Sequence, residues 1–99
     1  MNYALKRNVD TRYSNAVAQV FMDRLLLAFT TGKPLHVKVT ITGPGKASEG
    51  VWVRIRSIDL EDQRILGQLD NVPAQDWGDL VLGSRIVLDF EHIWDLSEI

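Results

Sequence analysis

The residues best suited to chemistry occupy alternate positions in two stretches of the chain. His36, Lys38, Thr40 and Thr42 alternate with Leu35, Val37, Val39 and Ile41. Trp52, Arg54 and Arg56 alternate with Val51, Val53 and Ile55, and Arg64 and Gln68 follow in a third stretch. A period of two places each polar set on one face of a strand. Together they predict a basic sheet face with one large aromatic. Guanidinium groups offer planar donors that match phosphate or carboxylate, and an indole offers a surface on which a base can stack. The competing expectation is an ordinary solvated side of an antiparallel sheet, where Arg and Trp pack cross-strand at little energetic consequence. The frequency of such faces weighs toward this second expectation.

Other constellations are weaker. Gly43-Pro44-Gly45-Lys46 resembles a phosphate loop only in part, because the full motif requires an earlier Gly, a hydroxyl after the Lys and a helix behind it. Ala47 follows the Lys, and a strand is expected next. Asp59, Glu61 and Asp62 make an acidic turn without the further oxygen ligands and glycine of a calcium loop. Asp70-Asn71-Val72-Pro73 is a turn signal that can also line a pocket. Asn71 therefore joins Lys38, Trp52, Arg54, Arg56 and Arg64 as the candidate ligand-binding set. His36 and His92 are the only histidines, and no Gly-x-Ser-x-Gly elbow is present. Both are expected at the surface. Trp77 and Trp94 are expected in the core or lining a pocket. No catalytic residue, metal or other cofactor is indicated.

These residues need elements to hold them. Val17, Val20, Phe21, Leu25, Ala28 and Phe29 recur at helical spacing between about Tyr13 and Thr30, with Asp10 or Ser14 as the cap. Gly32 and Pro34 end that helix. Strands are predicted over Leu35–Thr42, Val51–Ile58, Arg64–Leu69 and Arg85–Phe90, while Glu91–Ile99 either closes the sheet or forms a short helical turn. Gly67 suggests a bulge. The prediction is an α+β fold: one amphipathic N-terminal helix packed on a twisted, mainly antiparallel sheet of four to five strands. Residues 1–12 form an arm and 13–99 a single domain, which is all that 99 residues accommodate.

The charge is uneven. Residues 1–56 contain nine Lys/Arg and three Asp/Glu, and residues 57–99 two Arg and ten Asp/Glu. The halves can attract each other within the fold, bind an anionic partner or drive association. Absence of cysteine excludes disulfides and cysteine catalysis, and suits a reducing compartment. Met1–Arg7 lacks the apolar run of a signal peptide, and no stretch is apolar enough to span a bilayer, so a cytoplasmic protein is expected. Leu26 and Leu27 widen the apolar stripe of the helix, and exposure of either would favour a homodimer.

The run Leu35-His-Val-Lys-Val-Thr-Ile, then Glu49-Gly-Val-Trp52-Val, Ser57-Ile-Asp59 and Ile65-Leu-Gly67-Gln-Leu69-Asp-Asn71-Val-Pro73, resembles the YegJ-like family of small bacterial domains. Leu82-Gly83-Ser-Arg85-Ile-Val and Ile93-Trp-Asp95 continue the resemblance, which covers roughly residues 14–96. Members carry Asn-Asp-Pro where this chain has Asn71-Val72-Pro73, and Gly-Asp where it has Gly83-Ser84. The resemblance implies a helix-plus-sheet fold and transfers no activity or catalytic residue. The expected function is a non-enzymatic binding module for a protein or a small anionic ligand, in an immunity, inhibitor or ligand-sequestering role. The alternatives are single-stranded nucleic-acid binding on the basic face and, last, an enzyme using Asp70 or His92 as general base.

Overall fold

The computed structural model describes residues 3–7, 23–24, 26–28, 30–32, 35–59, 61–62, 64–93 and 95–98. Its body is an antiparallel sheet of β1 (Ala4–Leu5), β2 (Leu35–Thr42), β3 (Glu49–Asp59), β4 (Arg64–Leu69), β5 (Arg85–Asp89) and β6 (Asp95–Glu98). The strands run in the order β1-β2-β3-β4-β5, and β6 returns to pair with β2. Strands β1 and β6 share one edge of β2: Leu5 lies opposite Ile41 and Leu35 opposite Glu98. A 3-10 turn at Phe90–His92 carries the chain from β5 to β6. It therefore crosses in a few residues from the last strand of the order to the first long one.

Such a short crossing requires a strongly curled, nearly closed sheet. The two ends of the strand order approach each other through side chains, with no ladder between β1 and β5 among the described residues. Arg7, just past β1, forms an ion pair with Asp89 at the end of β5 at 2.9 Å, and a second with Glu91. Two features supply the curl. A bulge in β3 between Ile55 and Ser57 leaves Arg56 as an extra residue against β4. Opposite it stands Gly67, where an added Cβ would lie 2.2 Å from Val53 Cγ1. The sheet bends tightly where one strand has a residue too many and the other has no side chain.

The curl corrects the predicted architecture. The apolar alternation is as read, with Val37, Val39, Ile41, Val51, Val53 and Ile65 fully buried. Among the described residues, however, their cover comes from the sheet itself and from Trp77, Leu80 and Ile93. Among the described residues the structure is mainly β, not α+β, and no amphipathic N-terminal helix packs along the sheet. Among the described residues the helical stretch spans only part of 23–30, and Ala28 alone of these reaches the core. Leu27 is exposed and Leu26 half-buried. The predicted helix was needed only if the sheet were flat, since a flat sheet cannot bury its own face. Asp10, Ser14, Val17, Val20, Phe21, Leu25, Phe29 and Trp94 lie outside the described residues. No helix among the described residues is long and apolar enough to cross a membrane.

Candidate functional site

Register brings the basic residues together in part. Lys38 is the ladder partner of Trp52, and His36 that of Arg54. The Lys38 ammonium lies 5.3 Å from the centre of the Trp52 ring. Arg54, opposite Gln68 on β4, is exposed, and so is Arg56 on the bulge. The bulge keeps Arg56 on the outer face beside Ser57, so Trp52, Arg54 and Arg56 form one row. Neither Arg54 nor Arg56 has a hydrogen bond or ion pair to another side chain among the described residues.

Arg64 does not join this row. It opens β4 opposite Asp59, four positions from Gln68 and thus about 13 Å along the strand. Its Nε lies 4.0 Å from an Asp89 carboxylate oxygen. Asn71 sits beside Trp52 but is turned to the backbone: its Oδ1 accepts the Trp52 N–H at 2.6 Å. The Asp70 N–H donates to the Trp52 carbonyl at 3.0 Å, so the turn after β4 clasps both backbone groups of Trp52.

His36 departs from the sequence expectation. It is buried, not at the surface, because β3 and β6 flank it on both sides and Asp70 covers its ring. Its Nε2–H donates to the Asp70 carboxylate, as an ionised carboxylate only accepts. Nδ1 has no hydrogen-bond partner among the described residues. His92 is half-buried, and its Nδ1 accepts the Asp89 N–H at 2.9 Å, closing the 3-10 turn. Burial, then the charge of Arg7, holds His92 below its ordinary value, against the opposing pull of Asp89 and Glu91. The two candidate bases of the enzyme reading, Asp70 and His92, therefore both hold structural partners. No group of three or more potential metal ligands occurs among the described residues.

A residue outside the predicted set organises the neighbouring loops. The Glu49 carboxylate accepts the backbone N–H of Ala74 at 2.6 Å and of Gln75 at 3.1 Å, and the indole N–H of Trp77 at 2.9 Å. Gln75 donates through Nε2 to the Ala47 carbonyl at 2.7 Å, and Lys46 stands 5.0 Å from the Trp77 ring centre. The glycine-rich loop after β2 and the irregular link after β4 are thus tied into one rim. Partial burial pushes the Glu49 carboxyl up, but the donors together outweigh it and hold the group below its ordinary value. The available signal was its rarity: Glu49 is one of three acids in the first 56 residues, and a buried Trp77 N–H requires an acceptor.

The outer face of β2 and β3 thus offers two open guanidinium groups, a cation-capped indole and a rigid backbone beneath them. Comparison of the chain with protein-family models, curated proteins and solved structures finds no match.

Proposed function

We propose that this chain is a non-enzymatic binding module whose outer β2–β3 face holds a small anionic ligand bearing phosphate or carboxylate. The observation that carries this reading is the pair Arg54 and Arg56, exposed in one row beside Trp52 and without carboxylate partners among the described residues. The planar guanidinium fork is pre-organised for an oxyanion, so less side-chain freedom is lost per hydrogen bond formed. The Lys38 ammonium over Trp52 weighs against base stacking, since a nucleobase would have to displace it. A cytoplasmic site of action and an immunity, inhibitor or ligand-sequestering role belong to the same reading, in keeping with a chain without cysteine. The likeness to YegJ-like domains adds no activity to it.

Titration calorimetry with inorganic pyrophosphate tests the reading. The double variant R54E/R56E is expected to weaken binding about tenfold or more, as each charge-assisted bond to an ion is worth about 1.5–3 kcal/mol. Affinity of the native protein should fall as salt rises. Equal affinity of native protein and double variant would remove this face as the site. Tight, salt-sensitive binding of oligothymidylate without binding of pyrophosphate would transfer the face to single-stranded nucleic acid.

A further inference from the structure

Strand β5 ends the strand order and pairs only with β4 among the described residues. The Leu69 N–H donates to the Ser84 carbonyl at 2.8 Å. Alternation along an antiparallel ladder then turns the backbone groups of Ile86 and Leu88 toward β4, and those of Arg85, Val87 and Asp89 toward the open edge. The Asp89 N–H is already taken by His92 Nδ1. The N–H and C=O groups of Arg85 and Val87 and the Asp89 carbonyl remain facing outward.

The side chains on this edge guard it against indiscriminate pairing but not against pairing with itself. Solitary edges are guarded by Pro, bulges or charged side chains; Arg85–Asp89 has no Pro or bulge, keeps an unbroken register with β4, and carries charges of opposite sign that a second copy can neutralise. Val87 is 61% exposed, and its ladder partner Leu66 is exposed at 37%, making an apolar spot on the outer face. Arg85 and Asp89 stand two residues to either side of Val87. The sequence Arg-Ile-Val-Leu-Asp is therefore charge-complementary to itself in antiparallel register about Val87.

We propose that two copies of this chain associate through a two-fold axis at Val87, joining their β5 strands into a continuous sheet. Val87 then faces Val87, and each Arg85 faces the Asp89 of the other copy. The Val87 N–H and C=O groups bond reciprocally, and each Arg85 N–H reaches the opposing Asp89 carbonyl. Asp89 can serve both its own molecule and the second. One carboxylate oxygen holds Arg7 at 2.9 Å, while the other lies 4.0 Å from Arg64. Such a pairing is isologous and closes on itself, so it stops at a dimer.

Light scattering on the full chain, with thermal melts of every variant, tests the pairing. The native protein should show twice the chain mass. V87P removes an N–H that faces the open edge and leaves the β4 ladder in place, so it should still melt cooperatively yet show half the native mass. R85E and D89R each set like charges opposite and should also be monomers. An equimolar mixture of the two should recover the doubled mass. In the mixed pair the introduced acid of one variant would face the introduced base of the other, and each retained native charge would meet its opposite. A native protein that stays monomeric at its highest soluble concentration overturns the proposal. So does a dimer that persists in folded V87P or R85E, or a mixture of folded R85E and D89R that stays monomeric.

Discussion

Gly67→Ala is expected to lower stability by about 1–3 kcal/mol, the usual cost of forcing extra volume into a packed core. The added Cβ would stand 2.2 Å from Val53 Cγ1, 3.2 Å from the Arg54 carbonyl oxygen and 3.6 Å from Ile86 Cγ2. Val53 is fully buried and stiff at χ1, so it cannot swing away. The Arg54 carbonyl belongs to the β3 backbone and moves only with the ladder. The reduced entropy of the unfolded chain returns only about 0.4–1 kcal/mol. Urea denaturation of G67A, V53A and the double variant isolates the clash. V53A removes the methyl that the new Cβ would meet, so the double variant should be more stable than the sum of the single costs implies. Strict additivity, or a G67A protein as stable as the native one, would show that the sheet does not close tightly at Gly67.

Removal of the Glu49 carboxylate should have an effect of similar size. E49A is expected to cost about 2–3 kcal/mol, since hydrogen bonds to an ionised acceptor are the strong ones and their donors would lose it together. E49Q should recover little, because its amide NH2 would face donors where the carboxylate had an oxygen. The folded-state pKa of Glu49 is lowered, so its contribution is complete above the ordinary carboxylate range. It is lost as pH falls through the lowered folded value. Stability of the native protein should therefore decline in acid more steeply than that of E49A, and the two curves should converge at the lowest pH. Parallel curves would show that Glu49 does not hold the rim through its charge.

Local pattern was enough to place β2 and β4 at their observed ends, because period-two burial is written in consecutive residues: Leu35, Val37, Val39 and Ile41 inside, Lys38 and Thr40 half-buried outside. It also paired Lys38, Trp52 and Arg54 on one face. Other features were not fully legible in local pattern. Alternation says which side of a strand is apolar but not what covers it, so a helix was assigned a role that, among the described residues, sheet curvature fills. Gly67 marked the bulge from the β4 side, but that the extra residue is Arg56 on β3 is a mismatch between two strands, invisible in either alone. The burial of His36 depends on Asp70, which lies beyond β3 in space and far along the chain. Glu49 was overlooked for the same reason: its partners Ala74, Gln75 and Trp77 become neighbours only once β3 and β4 have paired. The polar anchors that set the rim are long-range contacts, whereas the face they support is local.

The return of β6 to β2 orders the assembly of the chain in time. The ladders β2–β3, β3–β4 and β4–β5 each join neighbours in sequence and can zip from their own turns. The pairing of Leu35 with Glu98 must instead close a loop spanning most of the chain, and it yields nothing until that entropy has been spent. During synthesis the β2 edge therefore waits, with its most apolar strand unflanked at the Leu35 end, until residues 95–98 leave the ribosome. That interval is when a nascent chain of this kind is most open to capture by a chaperone or to mispairing with another copy.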